Sequence, residues 1–135
     1  MDDVTKHLYI AAHLARATDD LATARDNVAH GHWRGAVNRA YYAVFHAASA
    51  ALLQLDIERA RHAGVQAAFG ASLVRSGLIE PEFGQLYSRI RQAREMQDYD
   101  VTAVALTCEE TERLVSDAER FVTRVESYLR QVGMT

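Results

Sequence analysis

Apolar residues recur at alternating three- and four-residue steps along most of this chain, the period of one face of an α-helix. The clearest run is Trp33, Val37, Tyr41, Val44, Ala48, Ala51 and Leu55, widened by Phe45 and Leu52. From Asn38 to Leu55 the chain is rich in Ala and Leu and has neither Gly nor Pro, so local propensity also favours helix. A helix apolar around most of its girth is predicted to be central. The positions left over are Gly35, Asn38, Arg39, Tyr42, His46 and Ser49. At about 100° per residue they share one narrow sector, a polar seam on an otherwise buried helix. Buried polar groups need partners, so the seam is expected to meet another helix, a second subunit or a ligand. It either fixes the register of helix packing or carries function.

The same period predicts the other elements. A first helix is expected over about Val4–Ala29, on the stripe Ile10, Leu14, Ala17, Leu21, Ala24 and Val28, with Asp19, Asp20, Arg25 and Asp26 on its wet side. Gly31 stands where a left-handed residue closes a helix, and the short connection forces the second helix to return antiparallel. After a charged segment from Asp56 to Arg61, a short third helix opens at His62 with Val65, Phe69 and Leu73 inward, stopped at Ser76-Gly77. Glu80 as cap and Pro81 at the first helical position start a fourth helix, which carries Phe83, Tyr87 and Ile90 inward and ends around Asp98-Tyr99-Asp100. Arg94 falls on that apolar stripe, where a guanidinium needs a partner; Asp98, one turn on, is a candidate. A fifth helix is expected over about Thr102–Gln131, capped by Asp100 or Thr102. Its seam runs Val104, Cys108, Thr111, Val115, Ala118, Val122, Val125, Leu129 and Val132, and Glu109, Glu110, Glu112, Arg113, Asp117, Glu119 and Arg120 form its solvated face. The fold class is therefore all-α: one domain over residues 1–135, an antiparallel up-and-down bundle of four long helices plus one short inserted helix.

Composition narrows the setting. With 135 residues, 49% hydrophobic and 24% charged, the chain can bury a real core. A net charge of −3 gives no global basic field, so a nucleic-acid role would need a local patch. The single Cys108 fits a reducing compartment, and no apolar run is long enough to span a bilayer; a cytoplasmic location with no membrane partner is expected. Di-metal carboxylate bundles need Glu-x-x-His pairs, and no Glu here has a His at the third following position. His30 and His32 form a turn pair without further ligands, so neither metal nor other cofactor is expected. Gly-rich phosphate loops, nucleophile elbows and His-Glu-x-x-His motifs are also absent. Ser49 and Cys108 lie mid-helix without an evident base and are read as structural.

Three ordered motifs carry a resemblance: Arg39-Ala-Tyr-Tyr-Ala-Val-Phe-His46, His62-Ala-Gly-Val-Gln-Ala-Ala-Phe-Gly70 and Arg91-Gln-Ala-Arg-Glu-Met-Gln-Asp-Tyr-Asp100. Together they resemble the HEPN superfamily, in particular the short stand-alone HEPN proteins associated with minimal nucleotidyltransferases. The resemblance runs from the first helix to the last. It implies a helical bundle that forms a homodimer, and a toxin–antitoxin or defence module in which the chain pairs with a minimal nucleotidyltransferase and binds nucleotide or RNA in a polar dimer cleft. Arg39, Tyr42, Arg91 and Tyr99 are the binding residues it suggests, Tyr99 matching in place a tyrosine that such partners nucleotidylate.

Many HEPN proteins are ribonucleases whose signature is Arg, four to six residues, then His. Here Arg91 and Arg94 stand in place, but Asp98-Tyr99-Asp100 follows and no His occurs after His62. Whether the chain is an enzyme is thus open. The alternative to the binding partner is a metal-independent ribonuclease toxin using Arg94 with His46 or Asp98. In that chemistry a cation steadies the phosphate and a second group moves the proton. The third reading is a structural dimerisation module without ligand.

Overall fold

The computed structural model describes residues 1–135. It is all-helical: α1 (Asp3–Ala29), α2 (Trp33–Gln54), α3 (His62–Phe69), α4 (Pro81–Tyr99) and α5 (Cys108–Gln131), with one π-helical turn, Gly70–Val74, continuing α3. The expected four long helices and one short one are present. α2 is the hub, packing against every other helix, while α1 and α4 flank it and barely meet each other. Its Ala36, Ala40, Ala43, Ala47, Ala48, Ala50 and Ala51 are fully buried, as are Ala17 and Ala24 of α1. Small side chains on both partners let the α1 and α2 backbones approach closely.

The helix ends follow local chemistry. Gly31 has φ +75°, the left-handed geometry expected beyond the end of α1, and the chain turns there into α2. Gly77 has φ +85° and ends the segment after the π-helical turn. Pro81 sits in the first turn of α4, but the Glu80 side chain makes no cap bond and instead holds Arg124 of α5 at 2.7 Å.

The start of α5 corrects the expectation. The helix begins at Cys108, six residues later than Thr102, and Val104 and Cys108 are exposed rather than part of the seam. Asp100 folds a local turn, its Oδ1 accepting from Thr102 N at 3.0 Å and Thr102 Oγ1 at 2.7 Å. The cap is Thr107: its Oγ1 accepts from Glu110 N, and Glu110 Oε1 accepts from Thr107 N, each at 3.1 Å. Two otherwise orphaned amides are satisfied by this reciprocal pair. Thr107→Ala is expected to cost about 1 kcal/mol, read as a lower urea midpoint with an unchanged slope.

From Thr111 to Leu129 the α5 seam packs as expected, with Val115, Ala118, Val122, Val125 and Leu129 buried, whereas Val132 caps the end of the helix and is exposed. Its polar face is not merely solvated. Arg25 of α1 pairs with Glu112 and Glu119, and Arg120 reaches Glu82 of α4 at 3.0 Å. No helix is long and apolar enough to cross a membrane.

Candidate functional site

The first part of the polar seam of α2, Gly35, Asn38 and Arg39, forms the floor of an open groove, with Thr23 and Asn27 of α1 on one side and Asp98 of α4 on the other. Helix period alone aims the seam there, because the remaining faces of α2 are committed to the core. At one end the groove is lined by Thr23, Asn27, Arg34, Asn38, Arg39 and Asp98, with no apolar side chain among its walls.

A connected set of contacts crosses it. Arg39 Nη1 donates to Asp20 Oδ1 of α1 at 2.9 Å, and Arg39 Nη2 donates to Asn38 Oδ1 at 2.9 Å. Asn38 Nδ2 donates to Asp98 Oδ2 of α4 at 3.3 Å. Arg94 Nε lies 3.2 Å from the same oxygen, close enough for an ion pair but outside hydrogen-bond geometry. Arg94 Nη2 donates to Tyr42 Oη at 3.4 Å. The Arg94 guanidinium lies 4.6 Å from the Tyr41 ring centre and 5.3 Å from that of Tyr42, and the Arg39 guanidinium lies 4.8 Å from Tyr42. Tyr42 thus has two guanidiniums within reach of its ring, contacts that its π-system favours.

Of the residues singled out from sequence, Arg39, Tyr42, Arg94 and Asp98 come together here. Arg91 lies one turn before Arg94 but faces α3, donating to Gln66 Oε1 at 2.7 Å and pairing with Glu95 at 2.9 Å. Tyr99 is 74% exposed at the end of α4. His46 shares the floor but turns to α1, where its Nδ1 lies 3.0 Å from Nδ1 of His13. Around the groove, Arg34, Arg39 and Arg94 face Asp20 and Asp98, a local balance more basic than the whole chain.

Three site residues were not assigned from sequence. Asp20 reads as a wet-side residue of α1 and His13 is given no role, although they lie two turns apart, the same spacing as their partners Arg39 and His46 on α2. Once Gly31 makes the hairpin antiparallel, that equal spacing pairs both. His62 opens α3, and its Nδ1 lies 3.0 Å from the hydroxyl of the buried Tyr41. Its ring packs 4.3 Å from Phe45 and 5.6 Å from Tyr42. The signal for it was its place at the head of the second motif.

Burial, aided by the neighbouring His13, pulls His46 down to about 4, with Arg16 and Arg39 acting the same way and Asp20 opposing. His13 is lowered by burial and by Arg16, against Glu58. A bond between two Nδ1 atoms needs one to carry hydrogen and the other a lone pair, so it is lost when both rings are protonated, and burial favours the neutral form of each. The folded state therefore refuses protons that the unfolded chain accepts below about pH 6.5. This stability is present above that pH and is lost as pH falls toward the folded value. Between pH 7.5 and 5 the loss should be about 1 kcal/mol, allowing for partial exposure and for titration as a pair. Urea midpoints at the two pH values should converge in His46→Gln.

The sequence comparisons agree with one another. A model of the HEPN domain matches residues 10–128. The chain is 36% identical to "Putative toxin MJ0605" of Methanocaldococcus jannaschii, over 91% of this chain and 90% of that one. It is 34% identical to a "UPF0332 protein" of Thermotoga maritima, over 72% of this chain and 73% of the relative. A second Methanocaldococcus jannaschii protein, "Putative toxin MJ0142", is 29% identical over 70% of this chain and 63% of its own length. With the family match covering the bundle from α1 to α5, the chain belongs to the HEPN domain family.

Proposed function

We propose that this chain is the HEPN component of a toxin–antitoxin or defence module, and that its groove binds the phosphates of RNA or of a nucleotide. Family membership and the two relatives named as toxins support the biological setting. The observation that carries the chemistry is Tyr42, with the guanidiniums of Arg39 at 4.8 Å and Arg94 at 5.3 Å, beside the open polar groove that Arg39 lines. An aromatic face among guanidiniums suits a stacked base next to a phosphate. In this reading the chain works as a homodimer and pairs with a minimal nucleotidyltransferase, and the open side of the groove is closed by the second copy.

Arg94 is the better phosphate ligand of the two cations. Its carboxylate, Asp98, keeps two other partners when Arg94 moves: Asn38 at 3.3 Å and Arg34 at 3.7 Å. Arg94→Ala is expected to weaken binding of single-stranded RNA at least tenfold at low salt, measured by fluorescence anisotropy, with the fold intact by circular dichroism. Unchanged binding in that variant would sink the groove reading. It would leave the ion pairs as structural register marks.

A second reading, a metal-independent ribonuclease, is favoured by the imidazole that α3 brings onto the same tyrosines as Arg94. Co-purification of the tagged chain with a nucleotidyltransferase would separate the inhibited toxin from a free-standing binder.

A further inference from the structure

A second opening lies away from the groove, between the start of α1, the end of α2 and the head of α3. It encloses about 180 Å³. Local chemistry builds it. α2 ends on Leu55, and the next residue, Asp56, takes φ +60°, a left-handed position where glycine is the usual choice. Asp56 N donates to Leu53 O at 2.9 Å and Ile57 N to Leu52 O at 3.0 Å, which closes the helix end. Lys6 of α1 holds the Asp56 carboxylate at 2.8 Å. The turn so fixed carries Ile57, Glu58 and Arg59 to the pocket.

The interior is apolar. Leu52, Leu53 and Val65 line it and are buried, and the rings of Tyr9 and Phe45 join them. The polar atoms nearby are largely engaged: Ser49 Oγ donates to Phe45 O at 2.9 Å, and His13 Nδ1 meets His46 at 3.0 Å. Burial lowers the basicity of His13, so its ring brings no charge at neutral pH. Two full charges remain. Glu58 and Arg59 are both exposed and neither forms an ion pair; Arg59 Nη1 donates only to the Glu58 backbone carbonyl, at 2.7 Å. Arg59 is nonetheless placed, because its stem runs along Gly64 of α3. A Cβ added there would stand 3.4 Å from Arg59 Cβ and 3.6 Å from its Cγ and Cδ.

We propose that this pocket binds a free α-amino acid with an apolar side chain, Glu58 taking the ammonium, Arg59 the carboxylate and the interior the side chain. A cavity of ~150 Å³ takes one benzene ring, so the side chain of phenylalanine or leucine fits and a whole nucleotide does not. A guanidinium beside a carboxylate offers each end of a zwitterion a charge-assisted partner and sets a like charge against any ligand with only one. The pocket shares no wall residue with the groove, so the two sites stand or fall separately.

The test titrates the whole chain, isotope-labelled, with L-phenylalanine and L-leucine and follows amide shifts by NMR. Saturable shifts are expected at Leu53, Ile57 and Val65, with Arg39 and Asp98 unmoved. Phenylpropanoate, which lacks the ammonium, and phenethylamine, which lacks the carboxylate, should each bind about tenfold more weakly. L-Serine keeps both charges without an apolar side chain and should not bind measurably. Glu58→Gln and Arg59→Gln change exposed residues and leave the fold intact; each should weaken phenylalanine about fivefold. Their effects should cross, Arg59→Gln sparing phenethylamine and Glu58→Gln sparing phenylpropanoate. No saturable shift with either amino acid would overturn the proposal. So would phenethylamine or phenylpropanoate binding as tightly as phenylalanine, since the pocket would then read an apolar group alone. Shifts confined to Arg39 and Asp98 would overturn it as well, by moving the ligand to the groove.

Discussion

Arg39→Ala should destabilise the fold by about 3 kcal/mol, far more than the loss of an ordinary surface arginine. The reason lies in its partner. Asp20 is only 6% exposed, its Oδ1 is held by Arg39 at 2.9 Å, and its Oδ2 is buried with no hydrogen bond. Removing the guanidinium strands a carboxylate between α1 and α2. Arg39 is itself partly exposed, which places the expected cost at the low end for a broken buried pair. Equilibrium urea unfolding measures it, and Asp20→Asn with Arg39→Ala should recover most of the loss because no buried charge remains. A cost below 1 kcal/mol for the single variant would show the pair to be of surface strength. Arg39 would then be free to leave Asp20 for a phosphate. The expected result instead makes Arg39 a strut that shapes Tyr42, and leaves Arg94 as the cation that would meet a phosphate.

This division of labour marks how far the sequence could be read. One helix's period located the seam, since Asn38, Arg39, Tyr42 and His46 share a sector whatever surrounds them. The cap glycine and Pro81 located helix ends for local reasons that tertiary context does not change. Cross-helix partners are another matter. Asp20 beside Arg39 follows only once the hairpin register is known, and His62 beside Tyr41 follows only once α3 is packed on α2. The misplaced start of α5 has a similar cause. Val104 and Cys108 continue the three-four spacing by coincidence, whereas the helix starts where Thr107 and Glu110 can satisfy each other's amides. Spacing describes a face, but a cap decides where a helix begins.

The largest expected loss of stability comes from the other side of the molecule. Phe121 of α5 is fully buried, with ring centres of Phe69 at 5.1 Å, Tyr87 at 5.7 Å and Phe83 at 6.3 Å. It joins α5 to α3 and α4 in an aromatic cluster that Phe69 and Tyr87 close by their own contact at 5.9 Å. Phe121→Ala removes that area and leaves a cavity whose walls, being rings on separate helices, cannot close inward. A cost of about 4 kcal/mol is expected, against about 1.5 kcal/mol for Phe121→Leu. Domains of this size are stable by only about 5–15 kcal/mol, so Phe121→Ala should be partly unfolded on warming and show a sharply lowered urea midpoint. The pair of variants also tests the groove, because the ring neighbours of Phe121 are Phe69, Phe83 and Tyr87 and not the tyrosine or histidine rings near Arg94. Phe121→Leu should bind RNA as wild type does, and Phe121→Ala should lose binding only as its folded fraction falls. If Phe121→Leu, still folded, lost binding as Arg94→Ala is expected to, the groove would depend on the placement of α3 and α4 by the aromatic core. His62 and Arg94 would then be set in position by Phe121 at a distance.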